Sequence, residues 1–370
     1  MQSSERSLHP TNCARSARPR PWSWTGIRSQ SNCTTCSNTR KRIGLMNVDE
    51  SGRPAREVFS PGTAVVVSGG TGFLGSRVVR ELLDRGCAVT SIDNSSTDHA
   101  VVDERLIHPA HKVASVDIRD REATVTALVE AQPSVVIHLA ALHFIPRCVA
   151  EPATALEINV VGTQNLLDAC RLLSRGPKFV LASTADVYLP SEEPHTEGSE
   201  IGPNNVYGLS KLAAEGIVRI AAQQGTCAPV ICRLFNLYGA HETNPHVIPE
   251  IVSQLRLSDE LHLGNTSPMR DFVYVDDAAT AILRLCEVAP PGMTVNVGTG
   301  VSYSVVEVVG RISDLLGRSL AIVVDQARWR QSDRPHLRAD PALLQSLVPG
   351  ALSTPLSQGL EQLLRDERLL

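Results

Sequence analysis

The sequence predicts an α/β fold, a doubly wound parallel sheet with a smaller C-terminal lobe. Three features carry the prediction. Short apolar, β-branched runs alternate with helix-period segments from residue 63 to 235, as they do where parallel strands are buried on both faces. A glycine-rich turn joins the first of those runs to the first helix, an arrangement of open α/β sheets. After residue 236 the rhythm changes: strands shorten, and polar, proline-containing connectors at 239–246, 264–269 and 325–341 separate the elements.

The first stretch, TAVVVSGGTGFLGSRVVRELLDRGCAVTSIDN (63–94), reads strand, turn, helix, strand. Residues 64–68 are a short β-branched run. Val78, Val79, Leu82 and Leu83 have helical spacing, and Gly86 closes that helix. The alternation continues with a strand near 113–116, a helix over 121–131, a strand over 134–140 and a helix over about 153–174. A strand at 178–183, a helix at 205–224 and a strand at 228–235 complete it. Beyond residue 236 the pattern predicts a helix at 246–257, short strands near 261–263 and 271–275, and a helix at 276–288. A strand at 294–297, a helix at 304–317, a strand at 320–324 and a terminal helix at 356–367 follow. The expected domains are 61–235, with 273–288 packing back on it, and a lobe made from 236–272 and 289–370. There is no internal repeat.

Bulk properties exclude several classes. The 370 residues are 42% hydrophobic, ample for a large core. A net charge of -4 gives no basic footprint for nucleic acid. No apolar run approaches the roughly 18 residues of a membrane span. Of nine cysteines, Cys33 and Cys36 form one C-x-x-C with Cys13 upstream, but no second pair follows at zinc-site spacing, so no metal ligand set is expected. Cys87, Cys170, Cys232 and Cys286 sit in apolar runs and read as reduced core residues of a cytoplasmic protein. Residues 1–60 are rich in Ser, Arg, Thr, Asn and Pro without sustained periodicity. They read as a disordered extension, or as sequence upstream of a true start near Met46. Their Arg- and Ser-rich, acid-poor composition resembles a transit peptide, a reading ranked below those two.

Two motifs carry chemistry. Gly69, Gly72 and Gly75 follow a strand and open a helix. Such glycines let backbone approach a pyrophosphate, which the helix N-terminus then meets with N–H donors. Asp93 ends the second strand about twenty residues on, where a carboxylate accepts from both ribose hydroxyls and repels a 2′-phosphate. NAD is therefore expected rather than NADP. The second motif is Tyr207 and Lys211, four apart on one helix face. An ammonium beside a phenol favours the phenolate and makes a base. Tyr-x-x-x-Lys alone is a weak signal; its setting gives it weight.

From about 63 to 367 the chain resembles an extended short-chain dehydrogenase/reductase, of the NAD-dependent nucleotide-sugar epimerase/dehydratase family. The resemblance rests on GGTGFLG (69–75), SIDN (91–94), VDIRD (116–120), HLAA (138–141), INVVGTQNLLDA (158–169), STADVY (183–188), YGLSK (207–211), RLFNLYG (233–239), RDFVYVDDAA (270–279) and NVGTG (296–300), which occur in the family's order. It implies a Rossmann-type doubly wound sheet and a C-terminal lobe that binds the nucleotide sugar. It places Phe73, Leu74 and Asn94 with the glycines and Asp93 at the cofactor. Asp117 and Ile118 would meet the adenine, and Ala140 and Ala141 would line the nicotinamide side. Thr184, Tyr207 and Lys211 match the catalytic set. Asn236, Arg270, Arg330 and Asp333 match substrate-binding positions, the two arginines at the diphosphate. Asn159 reads as structural support. His143 replaces a lysine that touches the cofactor in many galactose-type epimerases. A homodimer through the two long helices is also implied.

The expected reaction starts from the sugar 4-hydroxyl, held by Thr184 and Tyr207. Tyr207, its pKa lowered by Lys211 and by the cofactor, takes the proton, and C4 is oxidised to a transient 4-keto sugar. A 4-epimerase is the leading expectation, a 4,6-dehydratase or a glucuronate decarboxylase the alternative. Related dehydratases carry Thr-Asp-Glu where this chain has Thr184-Ala185-Asp186. Ala185 cannot donate a proton, while Asp186 keeps a carboxylate. Leu189 replaces the usual glycine after Val-Tyr, and Leu337 falls near a gatekeeper position that is often aromatic.

Overall fold

A computed structural model of the chain describes residues 58–95, 106–329 and 334–370. The N-terminal extension through residue 57, with Cys13, Cys33 and Cys36, lies outside the described residues, as do Arg330 and Asp333.

The glycine turn follows β1 (Ala64–Ser68) and leads into α1 (Phe73–Asp84). Next come β2 (Ala88–Asp93), β3 (His111–Ser115), α2 (Arg121–Ala131) and β4 (Val135–His138). Two short helices, α3 (Ile145–Ala150) and α4 (Pro152–Leu156), precede a π-helical turn at Glu157–Val161 and α5 (Gly162–Cys170). Then follow β5 (Lys178–Thr184), α6 (Val206–Gln223) and β6 (Ala228–Leu234). The C-terminal part contains β7 (Asn236–Tyr238), α7 (Val247–Leu255), β8 (Glu260–Leu263), β9 (Met269–Tyr274), α8 (Val275–Val288) and β10 (Thr294–Val297). It ends with β11 (Ser302–Tyr303), α9 (Val305–Leu316), β12 (Ala321–Val324), β13 (His336–Leu337), α10 (Ala342–Leu347) and α11 (Leu356–Asp366).

Seven parallel strands form the main sheet in the order β3-β2-β1-β4-β5-β6-β10. Residue alternation in β1 shows why both faces are covered. Val65 and Val67 join Val78, Val79 and Leu82 of α1 and Ile282 of α8 in one core cluster. Val66 points the other way, into a cluster with Leu128, Leu166 and Val218 of α2, α5 and α6. The strand order reverses at β1, between β2 and β4, which opens a crevice above the carboxyl ends of these strands. A third cluster gathers Ile251 and Leu255 of α7, Phe272 of β9, Ile312 of α9 and Leu360 of α11. A smaller sheet, β11-β9-β13 with β7 also on β9, stands beside the crevice.

The sequence expectation does not include α3, β7, β11 or α10, and it differs in two further places. The helix expected over 153–174 ends at Cys170 and contains the π turn, with Leu156, Val161 and Gly162 all in the right-handed helical region. A widened turn keeps the helical hydrophobic spacing on either side, so periodicity does not reveal it. The connector expected over 325–341 contains β13, which pairs His336 and Leu337 with Met269 and Arg270. Two residues carry no period of their own.

Candidate active site

A cleft of about 890 Å³ lies over the carboxyl ends of the strands. On its cofactor side, Gly69 has φ +73°, and a Cβ there would stand 2.8 Å from the backbone nitrogen of Ala140. A side chain at Gly75 would run into the Gly69 carbonyl oxygen. Backbone thus lies bare at the start of α1, whose first N–H groups lack intrahelical partners. Asp93, the last residue of β2, accepts from the Thr71 N–H at 3.1 Å through Oδ2 and from the Ser95 N–H at 2.8 Å through Oδ1. Its carboxylate is held beside the glycine loop. The Asn94 amide donates to Asp117 Oδ2 at 3.1 Å. Arg119, which sequence reasoning missed, donates to the same oxygen at 2.7 Å. That bond and its neighbours hold the Asp117 carboxyl down at about 2. Ile118, Ala140 and Ala141 complete this side, with Phe73 and Leu74. Bare backbone, an anchored carboxylate and apolar walls suit a dinucleotide.

Behind this wall, His138 at the end of β4 is enclosed. Its Nδ1 lies 2.6 Å from Ser68 Oγ and its Nε2 2.8 Å from Thr163 Oγ1. Thr163 donates its own proton to the Asn159 carbonyl at 2.6 Å, so its oxygen must accept from His138. The imidazole therefore carries its proton on Nε2 and receives one from Ser68. Burial, then the charge of Lys211, pushes its pKa from 6.5 down to about 3. The native protein stays unprotonated at His138 where the unfolded chain takes up a proton, so stability is lost as pH falls below 6.5. The expected slope is about 1.4 kcal/mol per pH unit for one such site. His195, pushed down to about 4 by burial, adds to it. His138→Gln should flatten this acid limb in urea unfolding measured from about pH 7 to about pH 4.

The facing wall carries Thr184, Tyr207 and Lys211. Asn205 caps α6 by accepting from the Gly208 N–H at 2.8 Å, which places Tyr207 in the first turn. Ser210 donates to the Tyr207 carbonyl at 2.7 Å and receives the Asn159 amide at 2.9 Å. The same Asn159 side chain accepts from the Leu142 N–H at 2.8 Å and donates to the Leu142 carbonyl at 2.9 Å. Asn159, on the π turn, thereby ties the loop after β4 to the start of α6. Burial first, then the Asp186 carboxylate, raises the Tyr207 phenol above its ordinary value, while its hydrogen bond with Thr184 works the other way. The expectation that Lys211 draws it down is corrected for the cleft as it stands. Lys211 is itself buried and pushed down to about 8, with Glu215 one turn on opposing that shift.

On the substrate side, Asn236 Oδ1 is enclosed and has no hydrogen-bond partner among the described residues. Arg270 donates to the Arg334 carbonyl at 2.7 Å and so joins β9 to the segment before β13. Arg334 was not singled out from the sequence, yet it is only 3% exposed. It donates to the carbonyls of Tyr188 at 2.6 Å and Asp186 at 2.7 Å, and its Nε lies 3.3 Å from Asp186 Oδ1. A third arginine in RWRQSDRP was its only sequence signal. Leu337 lines the cleft, as does His143, whose Nε2 lies 3.1 Å from Asn244 Nδ2.

A sequence model of the NAD dependent epimerase/dehydratase family matches residues 65–298. The UDP-glucose 4-epimerase of Caenorhabditis elegans is 30% identical over 82% of this chain and 95% of that protein. The crystal structure of Thermus thermophilus UDP-glucose 4-epimerase in complex with NAD superposes with a TM-score of 0.72 at 28% identity, covering 82% of this chain and 98% of that one. TunA, described as an NAD-dependent NDP-hexosamine 5,6-dehydratase, superposes equally well at 0.72 with 25% identity, covering 83% and 98%.

Proposed function

This chain belongs to the NAD-dependent epimerase/dehydratase family and its cofactor is NAD, and on that premise we propose that it is a nucleotide-sugar 4-epimerase. The observation that carries the reading is the state of the Thr184-Ala185-Asp186 stretch. A dehydratase needs an acid and a base beside the sugar in addition to the tyrosine. Ala185 is fully buried and offers no proton. Asp186 is already engaged, its Oδ1 lying 3.3 Å from the Arg334 guanidinium and accepting from the Asn205 amide at 3.4 Å.

In this reading a nucleotide diphosphate lies along the substrate side of the cleft, where Asn236 and Arg270 stand, with Arg330 and Asp333 assigned to the same end. The sugar reaches Thr184 and Tyr207. Thr184 orients the 4-hydroxyl, and Tyr207 accepts its proton and later returns it. Lys211 keeps a positive charge behind that exchange. Bound NAD supplies reversible acceptance of the hydride from C4. The asymmetry between the Ala185 and Asp186 positions leaves the released ketone without an acid to expel a C6 hydroxyl. Turning of the sugar before reduction then inverts C4. The relatives' names make a UDP-hexose the first substrate to offer.

The test is incubation of the purified protein, without added NAD, in deuterated water. UDP-glucose, UDP-glucuronate, UDP-N-acetylglucosamine and dTDP-glucose are followed by mass and proton NMR. The expected result is an inverted C4 signal at unchanged mass with no deuterium at C5. Loss of water with deuterium at C5 or C6 would instead make Asp186 a base and the enzyme a dehydratase. Loss of CO2 from the glucuronate would make it a decarboxylase.

A further inference from the structure

We propose that His143, Glu242 and His246 form a binding site for a divalent borderline metal ion, Zn²⁺ being the type, in the wall of the substrate cleft. One ligand atom from each of the three residues falls within a group no more than 4.8 Å across. They come from two loops, one after β4 and one between β7 and α7, and all three line the cleft. The two imidazoles stack with centroids 5.8 Å apart and planes at 27°.

Asn244 supplies an independent observation. Its amide nitrogen lies 3.1 Å from His143 Nε2 and 3.2 Å from Glu242 Oε1. Two N–H donors from one atom thus meet an imidazole lone pair and a carboxylate oxygen that converge on one point, the position a cation would take. The Asn244 backbone N–H also bonds Glu242 Oε1, at 2.9 Å. The two Asn244 bonds to Glu242 therefore fall on one carboxylate oxygen and leave the other for ligation, while the ion takes the place of the Asn244 amide at His143 Nε2. The nearby N-terminus of α7, with His246 as its cap, carries about half a positive charge, which the full charge of Glu242 outweighs.

The donor set selects the class of ion. Two nitrogens and one oxygen suit Zn²⁺ and its transition-metal neighbours rather than Mg²⁺ or Ca²⁺, which prefer oxygen shells. Bonds of about 2.0–2.2 Å put tetrahedral ligands about 3.4 Å apart, so the widest pair, within 4.8 Å, closes by no more than about 1.4 Å on binding. All three residues are only half-buried, and side-chain rotation can supply that movement. Three protein ligands leave at least one position open, here toward the cleft.

Co²⁺ is the probe, because its visible absorption reports coordination directly. The full-length holoenzyme is dialysed against EDTA and titrated with Co²⁺, then with Zn²⁺. The expected result is a visible band that saturates at one equivalent, is displaced by Zn²⁺ and persists when Cys33 and Cys36 are replaced by Ser. Glu242→Gln and His246→Asn should each weaken Co²⁺ binding at least tenfold while NAD content and far-ultraviolet circular dichroism stay unchanged. Absence of the band, its loss on replacing the two cysteines, or equal affinity in both cleft variants would overturn the proposal.

Discussion

Tyr207→Phe is expected to lower kcat by about 10²–10⁴-fold, the range for loss of one general acid–base group, while the protein keeps its NAD. The change removes one oxygen from a residue half-buried in the cleft wall, so the fold is untouched. The ring keeps its place because the placement of Tyr207 comes from backbone: the Asn205 cap on Gly208 and the Ser210 bond to the Tyr207 carbonyl. What disappears is the phenol that stands beside Thr184. Burial and Asp186 raise its pKa, so the phenolate needs positive charge nearby when substrate is bound. Lys211, pushed down to about 8, is still mostly protonated at neutral pH. Single-turnover kinetics with UDP-glucose, alongside NAD content, measure the effect. A variant with NAD retained and near-normal turnover would remove Tyr207 from the chemistry and the epimerase reading with it.

The parts of the site that the sequence displayed are those written in local spacing. Gly69 and Gly75 sit around one turn, Asp93 ends the next strand, and Tyr207 and Lys211 share one helix face; such patterns survive without knowing the fold. Strand β10 and helix α2 have the limits the alternation gave, 294–297 and 121–131, because β10 lies between glycines at 292 and 298 and α2 is flanked by a capping Asp120 and a left-handed Gln132. What the sequence hid depends on distant pairing. Arg334 meets Tyr188 and Asp186 across 146 and 148 residues. Strands β7, β11 and β13 are two or three residues each and exist because β9 offers them an edge. The direction of the Tyr207 shift was hidden for a related reason: its largest cause is burial, and helix spacing does not show how far distant segments enclose the ring.

Glu215→Gln is expected to destabilise the protein by about 3–5 kcal/mol, the cost of removing one partner from a buried ion pair. Glu215 is 2% and Arg233 5% exposed. Arg233 Nε donates to Oε1 at 2.9 Å and its Nη2 to Oε2 at 2.7 Å, while Ser183 donates to Oε1 at 2.6 Å. One carboxylate thus joins β5, α6 and β6 directly behind the cleft. Burial alone would lower the Arg233 pKa, but the bonds to Glu215 outweigh it and raise the guanidinium instead. The amide keeps the shape and a hydrogen bond from Ser183, yet leaves the guanidinium charged without its counter-charge. The helix also feels the loss through Lys211, because Glu215 is the group that opposes its downward shift. A lysine depressed from 10.5 to about 8 binds fewer protons when folded than when unfolded between those values. Its contribution to stability therefore rises with pH across that window and is a penalty below it. Glu215→Gln deepens the penalty at neutral pH and moves the lower edge of the window further down. Urea unfolding of the holoenzyme at about pH 7 and about pH 9.5 measures both effects: a large loss at the lower pH, and a smaller one at the higher, where Lys211 is neutral in the native state of either protein. Replacing both partners, Glu215→Leu with Arg233→Met, should recover much of the loss, since an apolar pair leaves no buried charge. Equal losses at the two pH values would place the whole effect on Arg233 and detach Glu215 from the charge state of Lys211.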